Sequence, residues 1–188
     1  MNTGLPLALC DSRKSALVVI DIQQRLAEAM PEKILKQVIA NTAFLIQSAK
    51  LLDIPVIISE QYPKGLGSTV SELTTLENAH IIEKTCFSCA DNKAFLETLR
   101  KLNKQQIILC GMEAHICVTQ TAIELQTKNY QVFVASDSIC SRKKSHFKNA
   151  IERVQQQGCI ITNSESVSFE WLHDAKHEHF KTISRLLK

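Results

Sequence analysis

Glycine is scarce in this sequence: five residues in 188, at positions 4, 65, 67, 111 and 158. A phosphate-cradling loop needs clustered glycines between a strand and a helix. Gly65-Leu66-Gly67 is followed by Ser68, Thr69 and Val70, so no third glycine completes a G-x-G-x-x-G, and no P-loop is present. A dinucleotide or ATP site of that kind is therefore excluded. Long apolar runs are missing as well. No stretch approaches the ~20 residues that span a bilayer, and the run at residues 5–9 is too short for a signal core and has no basic lead. No membrane partner is expected. An excess of one charge is also missing. Lys plus Arg is 22 and Asp plus Glu is 19, a net charge of +3 spread over both signs. That balance is no nucleic-acid footprint, and Arg142-Lys143-Lys144 is too short for a basic arm.

Apolar residues are 45% of the chain, enough for one sizeable core. The seven cysteines (10, 86, 89, 110, 117, 140 and 159) are an odd number in a chain too large for a small disulfide scaffold. They read as free thiols in a reducing, cytoplasmic setting. Cys10, Cys110, Cys140 and Cys159 sit in or beside apolar runs, where a cysteine acts as a small buried hydrophobe.

Short apolar runs alternate with helical patterns. Residues 16–20 are continuous and β-branched, as in a strand buried on both faces. Ile34, Leu35, Val38, Thr42, Leu45, Ile46, Ala49 and Leu52 recur at steps of three and four, which is one helical stripe. Pro31 can open that helix and Pro55 stops it. Further strands are expected at 56–58, 81–82, 106–110, 132–135 and 159–161. Helices are expected at 91–102, 116–128 and 141–157, with a mostly helical tail from 164. Residues 60–79 carry no periodic pattern and read as an irregular excursion, a type of segment that is often functional. No repeat or composition break appears. The expectation is a single α/β domain over 1–188, with a core at about 15–171, a tail at 172–188 and a parallel sheet.

Ligands of such sheets gather beyond the carboxyl ends of the strands, at the switch in strand order. Asp21, Ser59-Glu60-Gln61, Glu83-Lys84, residues 111–117 and Asp137 fall there. An acid, an amine and a thiol can thus meet on one rim. Cys117 at a helix start is expected to be favoured as a thiolate by unpaired N–H groups and the dipole, and those N–H groups can hold an oxyanion. Asp21 can take the thiol proton or deliver one to a leaving amine. Lys84 can keep Asp21 ionised or bind a substrate oxygen. Each residue also has an ordinary reading: a cap, a surface lysine, a core thiol.

Val18-Val19-Ile20-Asp21-Ile22-Gln23, Glu83-Lys84-Thr85-Cys86-Phe87-Ser88 and Cys110-Gly111-Met112-Glu113-Ala114-His115-Ile116-Cys117-Val118 resemble, in order and spacing, the isochorismatase-like cysteine hydrolases. Asp137-Ser138 through Ser141-Arg142 is similar to the segment that family carries after its fifth strand. Residues 60–67 and the Glu-Ala-His before Cys117 look closest to the isochorismatase-domain-containing branch. The resemblance, over about residues 15–171, implies a three-layer, Rossmann-like fold: a six-stranded parallel sheet with helices on both faces. It implies Cys117 as nucleophile, Asp21 as general base and acid, and Lys84 as their electrostatic partner. It also implies a cis peptide at Met112–Glu113, with the Glu113 and Cys117 N–H groups aimed at the oxyanion. Gln23, Gln61, Tyr62, Phe87 and His115 are the expected substrate-binding residues. A homo-oligomer, anywhere from dimer to octamer, is implied too.

Departures from the family pattern shape the functional expectation. Nicotinamidases of the family hold a metal with an Asp-x-His after the second strand, whereas Glu60-Gln61-Tyr62 stands here. No metal and no cofactor are expected. Isochorismatases cleave a vinyl ether and do not need the thiol, so Cys117 favours hydrolysis of a small amide or related C–N bond through a thioester. The alternatives are a non-catalytic interaction protein on the same fold, or nicotinamidase or isochorismatase activity. His115 is two residues from Cys117 and shares no helix face with it. Cys86 and Cys89 form a C-x-x-C without the second pair a zinc site needs. His173, His177 and His179 read as a solvated helix face.

Overall fold

The computed structural model describes residues 9–74 and 79–187. Its centre is one sheet of six parallel strands: β1 (Ser15–Ile20), β2 (Val56–Gln61), β3 (His80–Lys84), β4 (Gln106–Met112), β5 (Gln131–Cys140) and β6 (Ile160–Thr162). Their order is β3-β2-β1-β4-β5-β6. β1 pairs with β2 on one side, Leu17 facing Val56, and with β4 on the other, Ile20 facing Gly111. The chain therefore reverses direction across the sheet between β1 and β4. The ends of these two strands are the switch point where a parallel α/β sheet opens its crevice.

Side chains alternate across the sheet, so each strand feeds two cores. Leu17 and Val19 pack with Val38, Leu45 and Ile46 of α2 (Glu32–Leu51) and Val167 and Trp171 of α7 (Ser164–Leu172). Ala16, Val18 and Ile20 face α4 (Lys93–Leu102), α5 (Thr119–Thr127) and α6 (Lys144–Gln156), through Phe95, Leu99, Ala122, Leu125 and Val154. Each fully buried Leu or Ile contributes about 1.5–3 kcal/mol. Burial on both faces explains why the β1 run lacks polar alternation.

Several elements differ from the periodicity reading. α1 (Gln24–Glu28) and α3 (Pro63–Leu66) are too short to show a helical period. β5 runs on to Cys140, so Asp137 lies within it. The Asp137 carboxylate accepts from the N–H and the hydroxyl of Ser164 at 2.9 and 2.6 Å, an anchor for the start of α7. The tail is broken: α7 ends at His173 with φ 61, and α8 (Phe180–Arg185) begins after a run of turns. His173, His177 and His179 therefore share no helix face. Among the described residues, no group of three or more His, Cys, Asp or Glu side chains is placed to hold a metal. No helix among them is long and apolar enough to cross a membrane.

Gly111 sets the close approach of β4 to β1. Its φ is +121, and a Cβ there would lie 2.0 Å from the Ile20 carbonyl oxygen. Neither a rotamer nor a side chain can relieve a clash with backbone. Gly111→Ala is expected to cost on the order of 4 kcal/mol or more, read as loss of the cooperative thermal transition or a drop in its midpoint well beyond 10 °C.

Candidate active site

Asp21 is the first residue after β1 and is fully buried. Its φ of 51 places it in the left-handed region, which turns the chain sharply at the switch point. For a non-glycine residue this costs about 1 kcal/mol or more and persists only where the surroundings fix it. The surroundings do so here. The Asp21 N–H donates to the Ser59 carbonyl at 3.1 Å. Oδ1 accepts from the Ser59 hydroxyl at 2.7 Å, and Oδ2 accepts from Lys84 Nζ at 2.7 Å.

Lys84 closes β3 with its side chain fully enclosed. Its three N–H bonds face four acceptors: Asp21 Oδ2 at 2.7 Å, Gln61 Oε1 at 2.8 Å, the Phe87 carbonyl at 3.1 Å and the Cys86 carbonyl at 3.3 Å. Burial opposes its charge. Burial is the largest single influence, but the charge and hydrogen bond of Asp21 together with the sulfurs of Cys89 and Cys117 outweigh it and hold Lys84 above the usual lysine range. Such a saturated ammonium serves Asp21 and has no free donor for a substrate oxygen.

Cys117 lies within a π-type turn at Ala114–Val118, which follows the cis peptide Met112–Glu113 and leads into α5. The Val118 N–H reaches back to the Glu113 carbonyl at 3.3 Å, and the Thr119 hydroxyl donates to the Ala114 carbonyl at 2.6 Å. Cys117 as a whole is 5% exposed. Burial pushes it well above the ordinary thiol range, the Asp21 charge pushes the same way, and Lys84 only partly opposes them. Burial and the Asp21 charge thus oppose the thiolate expected from the helix start and favour a neutral thiol. Alkylation of Cys117 by iodoacetamide should be slower than that of free cysteine at neutral pH. It should keep rising with pH past ~8.5, where an ordinary thiol begins to level. A plateau reached below neutral pH, measured by peptide mapping, would contradict this.

The remaining expected residues divide. Gln23 is fully buried: its Nε2 donates to the Gly67 and Gln61 carbonyls at 2.6 and 3.1 Å, and its Oε1 accepts from the Gln61 N–H at 2.7 Å. Gln61 spends its Nε2 on the Thr85 carbonyl at 2.7 Å and its Oε1 on Lys84. Both amides brace the rim: both Nε2 donors of Gln23 are spent, whereas only one of Gln61's is engaged. Tyr62 and Phe87 are 54% and 55% exposed beside this cluster. The Tyr62 ring lies on Gly65, where an added Cβ would meet it at 2.5 Å. His115 is engaged by other partners: Nδ1 pairs with the Ser141 hydroxyl at 2.9 Å, and its ring lies 4.5 Å from that of His146. A cavity of about 840 Å³ near the start of β4 and one of about 360 Å³ beside the end of β5 are lined by none of Asp21, Lys84 and Cys117.

The side-chain roles of three neighbours escaped the sequence reading. Ser59 fixes Asp21. Cys89 donates its N–H to Thr121 Oγ1 at 2.9 Å, and burial pushes its thiol up to about 11 despite Lys84. Glu113 holds Arg142. Only the β2 strand-end position of Ser59 was a usable signal. The other contacts join residues 29 and 32 apart in sequence.

An acid, an amine and a thiol converging at the switch point of a six-stranded parallel sheet mark the class, the isochorismatase-fold hydrolases. The Isochorismatase domain model matches residues 15–166. Isochorismatase domain-containing protein 2 of Danio rerio is 35% identical over 176 residues, covering 94% of this chain and 88% of the relative. The secreted isochorismatase effector Isc1 of Phytophthora sojae is 37% identical over 179 residues, 93% of this chain and 84% of the relative. Among solved structures, the MAR1 ribonuclease from Caenorhabditis elegans superposes with a TM-score of 0.89 at 35% identity, covering 95% and 92% of the two chains. This chain belongs to the isochorismatase family.

Proposed function

We propose that this chain is a cysteine hydrolase of a small amide or related C–N bond, acting through a thioester and without a metal. The observation that carries the reading is the enclosed Asp21–Lys84 pair at 2.7 Å beside a buried neutral thiol. A neutral thiol needs a base within reach, and Asp21 is that base. Cys117 Sγ attacks the carbonyl carbon as its proton passes to Asp21. The oxyanion is held by the N–H groups of Glu113 and Cys117. Asp21 then protonates the leaving nitrogen, the C–N bond breaks and a thioester remains. Water attacks it, Asp21 takes the water proton and returns it to sulfur as the C–S bond breaks. Lys84 keeps Asp21 charged between steps. Tyr62, Phe87 and His115 form the substrate rim.

Metal independence is supported by how the second strand's end is spent. Glu60 accepts from the N–H and the hydroxyl of Thr69 at 2.7 and 2.8 Å, and Gln61 is bonded to Lys84. Turnover should therefore be unchanged by a chelator. A cytoplasmic location suits seven unpaired cysteines. Assembly into a homo-oligomer suits the edge strand β3, where Ile81 is 59% exposed; light scattering reads the state directly. The decisive experiment screens small amides, carbamates, nicotinamide, isochorismate and RNA against wild type and Cys117→Ala. Hydrolysis of an amide or carbamate lost in the variant is expected. Cleavage of RNA that survives Cys117→Ala would overturn the reading.

A further inference from the structure

The turn that carries Cys117 is fastened to the segment between β5 and α6 at two points. Glu113, 6% exposed in its side chain, accepts from the Arg142 N–H at 3.1 Å. It accepts again from Arg142 Nε, whose single proton is shared between both carboxylate oxygens at 3.1 Å each. Two residues on, His115 Nδ1 meets the Ser141 hydroxyl at 2.9 Å. The Glu113 carbonyl in turn receives the Ile116 and Val118 N–H groups at 3.0 and 3.3 Å. One residue thus receives the Arg142 contacts on its side chain and the Cys117 turn on its main chain.

We propose that Arg142 is a positioning residue for the reaction at Cys117. It acts through Glu113 by fixing the turn that aims the thiol and the two oxyanion N–H groups. The inference rests on the functional reading above. Arg142 touches no reacting atom; its guanidinium lies largely in water, 56% exposed. Glu113 keeps the Arg142 N–H in any substitution other than proline and the guanidinium is screened by water, so the cost to folding is small, while a small misplacement of the turn is felt at the reacting atoms.

Acrylamide is a suitable probe, because it is a neutral amide that presents a carbonyl to the oxyanion groups. Sulfur bonds to its β-carbon, the double-bond electrons move onto the carbonyl oxygen, and the thiol proton passes to Asp21 and then to the α-carbon. The maximal rate of modification at Cys117 and the half-saturating concentration are read by peptide mapping. Arg142→Ala should lower the maximal rate roughly tenfold and leave half-saturation and the melting temperature nearly unchanged. Arg142→Lys, which keeps a cation near Glu113, should recover most of the rate. Arg142→Ala combined with Glu113→Gln should be no slower than the slower single variant, since both act through one contact. A maximal rate in Arg142→Ala within twofold of wild type overturns the proposal. So does a loss that Arg142→Lys fails to recover and that follows the melting temperature. Asp21→Asn separates the two readings: if it leaves the modification rate unchanged, the functional reading itself fails, whatever Arg142 does.

Discussion

Lys84→Met is expected to lower the free energy of unfolding by about 3–5 kcal/mol at neutral pH, measured by urea denaturation. The side chain is enclosed and so is that of Asp21, so the substitution leaves a carboxylate in the interior with only the Ser59 hydroxyl and the Cys117 thiol as polar partners and no cation. It also strips a donor from Gln61 Oε1 and from the carbonyls of Cys86 and Phe87. The deficit should depend on pH. In the wild type, Lys84 is held above its ordinary 10.5, so its contribution is complete below that value and is lost only as pH rises through the higher folded value. In the variant, the unpaired carboxylate holds its proton more tightly folded than unfolded. The penalty therefore shrinks as pH falls from neutral toward ~4, where an unfolded aspartate itself takes a proton. Asp21→Asn added to Lys84→Met should recover at least half of the loss, because no charge is then stranded. A double variant as unstable as Lys84→Met alone would show that the stranded charge is not the cause.

This pair also marks what sequence can disclose. Asp21 and Lys84 are far apart in the chain, yet each ends an apolar run, and strand ends of a parallel sheet converge. Placement at the ends of β1, β3 and β4 therefore brought acid, amine and thiol to one rim before any coordinates. The protonation state of Cys117 was not visible, because helix-start position is local whereas desolvation and the Asp21 charge belong to the packed site. Gln23 and Gln61 show a related limit. Residue type and position place an amide on the rim, but only the register between β2, β3 and the segment after Gly67 decides whether its donors are already spent. The short helices at 24–28 and 63–66 span too few turns to show a period. The break at His173 rests on a left-handed residue that the helical pattern does not announce.

Cys117→Ala should abolish hydrolysis while leaving the fold almost as stable as before. The two halves of this result test different things. For activity, the variant removes the atom that forms the thioester, and nothing in the cluster replaces it: Lys84 is saturated and His115 is bonded to Ser141. Loss of a covalent nucleophile of this kind costs on the order of 10^6 in kcat, below the floor of an ordinary assay. For stability, the thiol is small, and although alanine loses its hydrogen bond to Asp21, that carboxylate keeps Lys84 and Ser59 as partners. The destabilisation should stay within about 1–2 kcal/mol, the sum of that lost contact and a modest cavity. Cys117→Ser sharpens the point. Its hydroxyl gives up its proton far less readily than a thiol. Serine should therefore fall with alanine, although it keeps the shape and can donate to Asp21. Hydrolysis retained by Cys117→Ser but lost in Cys117→Ala would mean that proton transfer does not limit attack. Hydrolysis retained in both would move the reaction away from sulfur, leaving Asp21 to activate water directly.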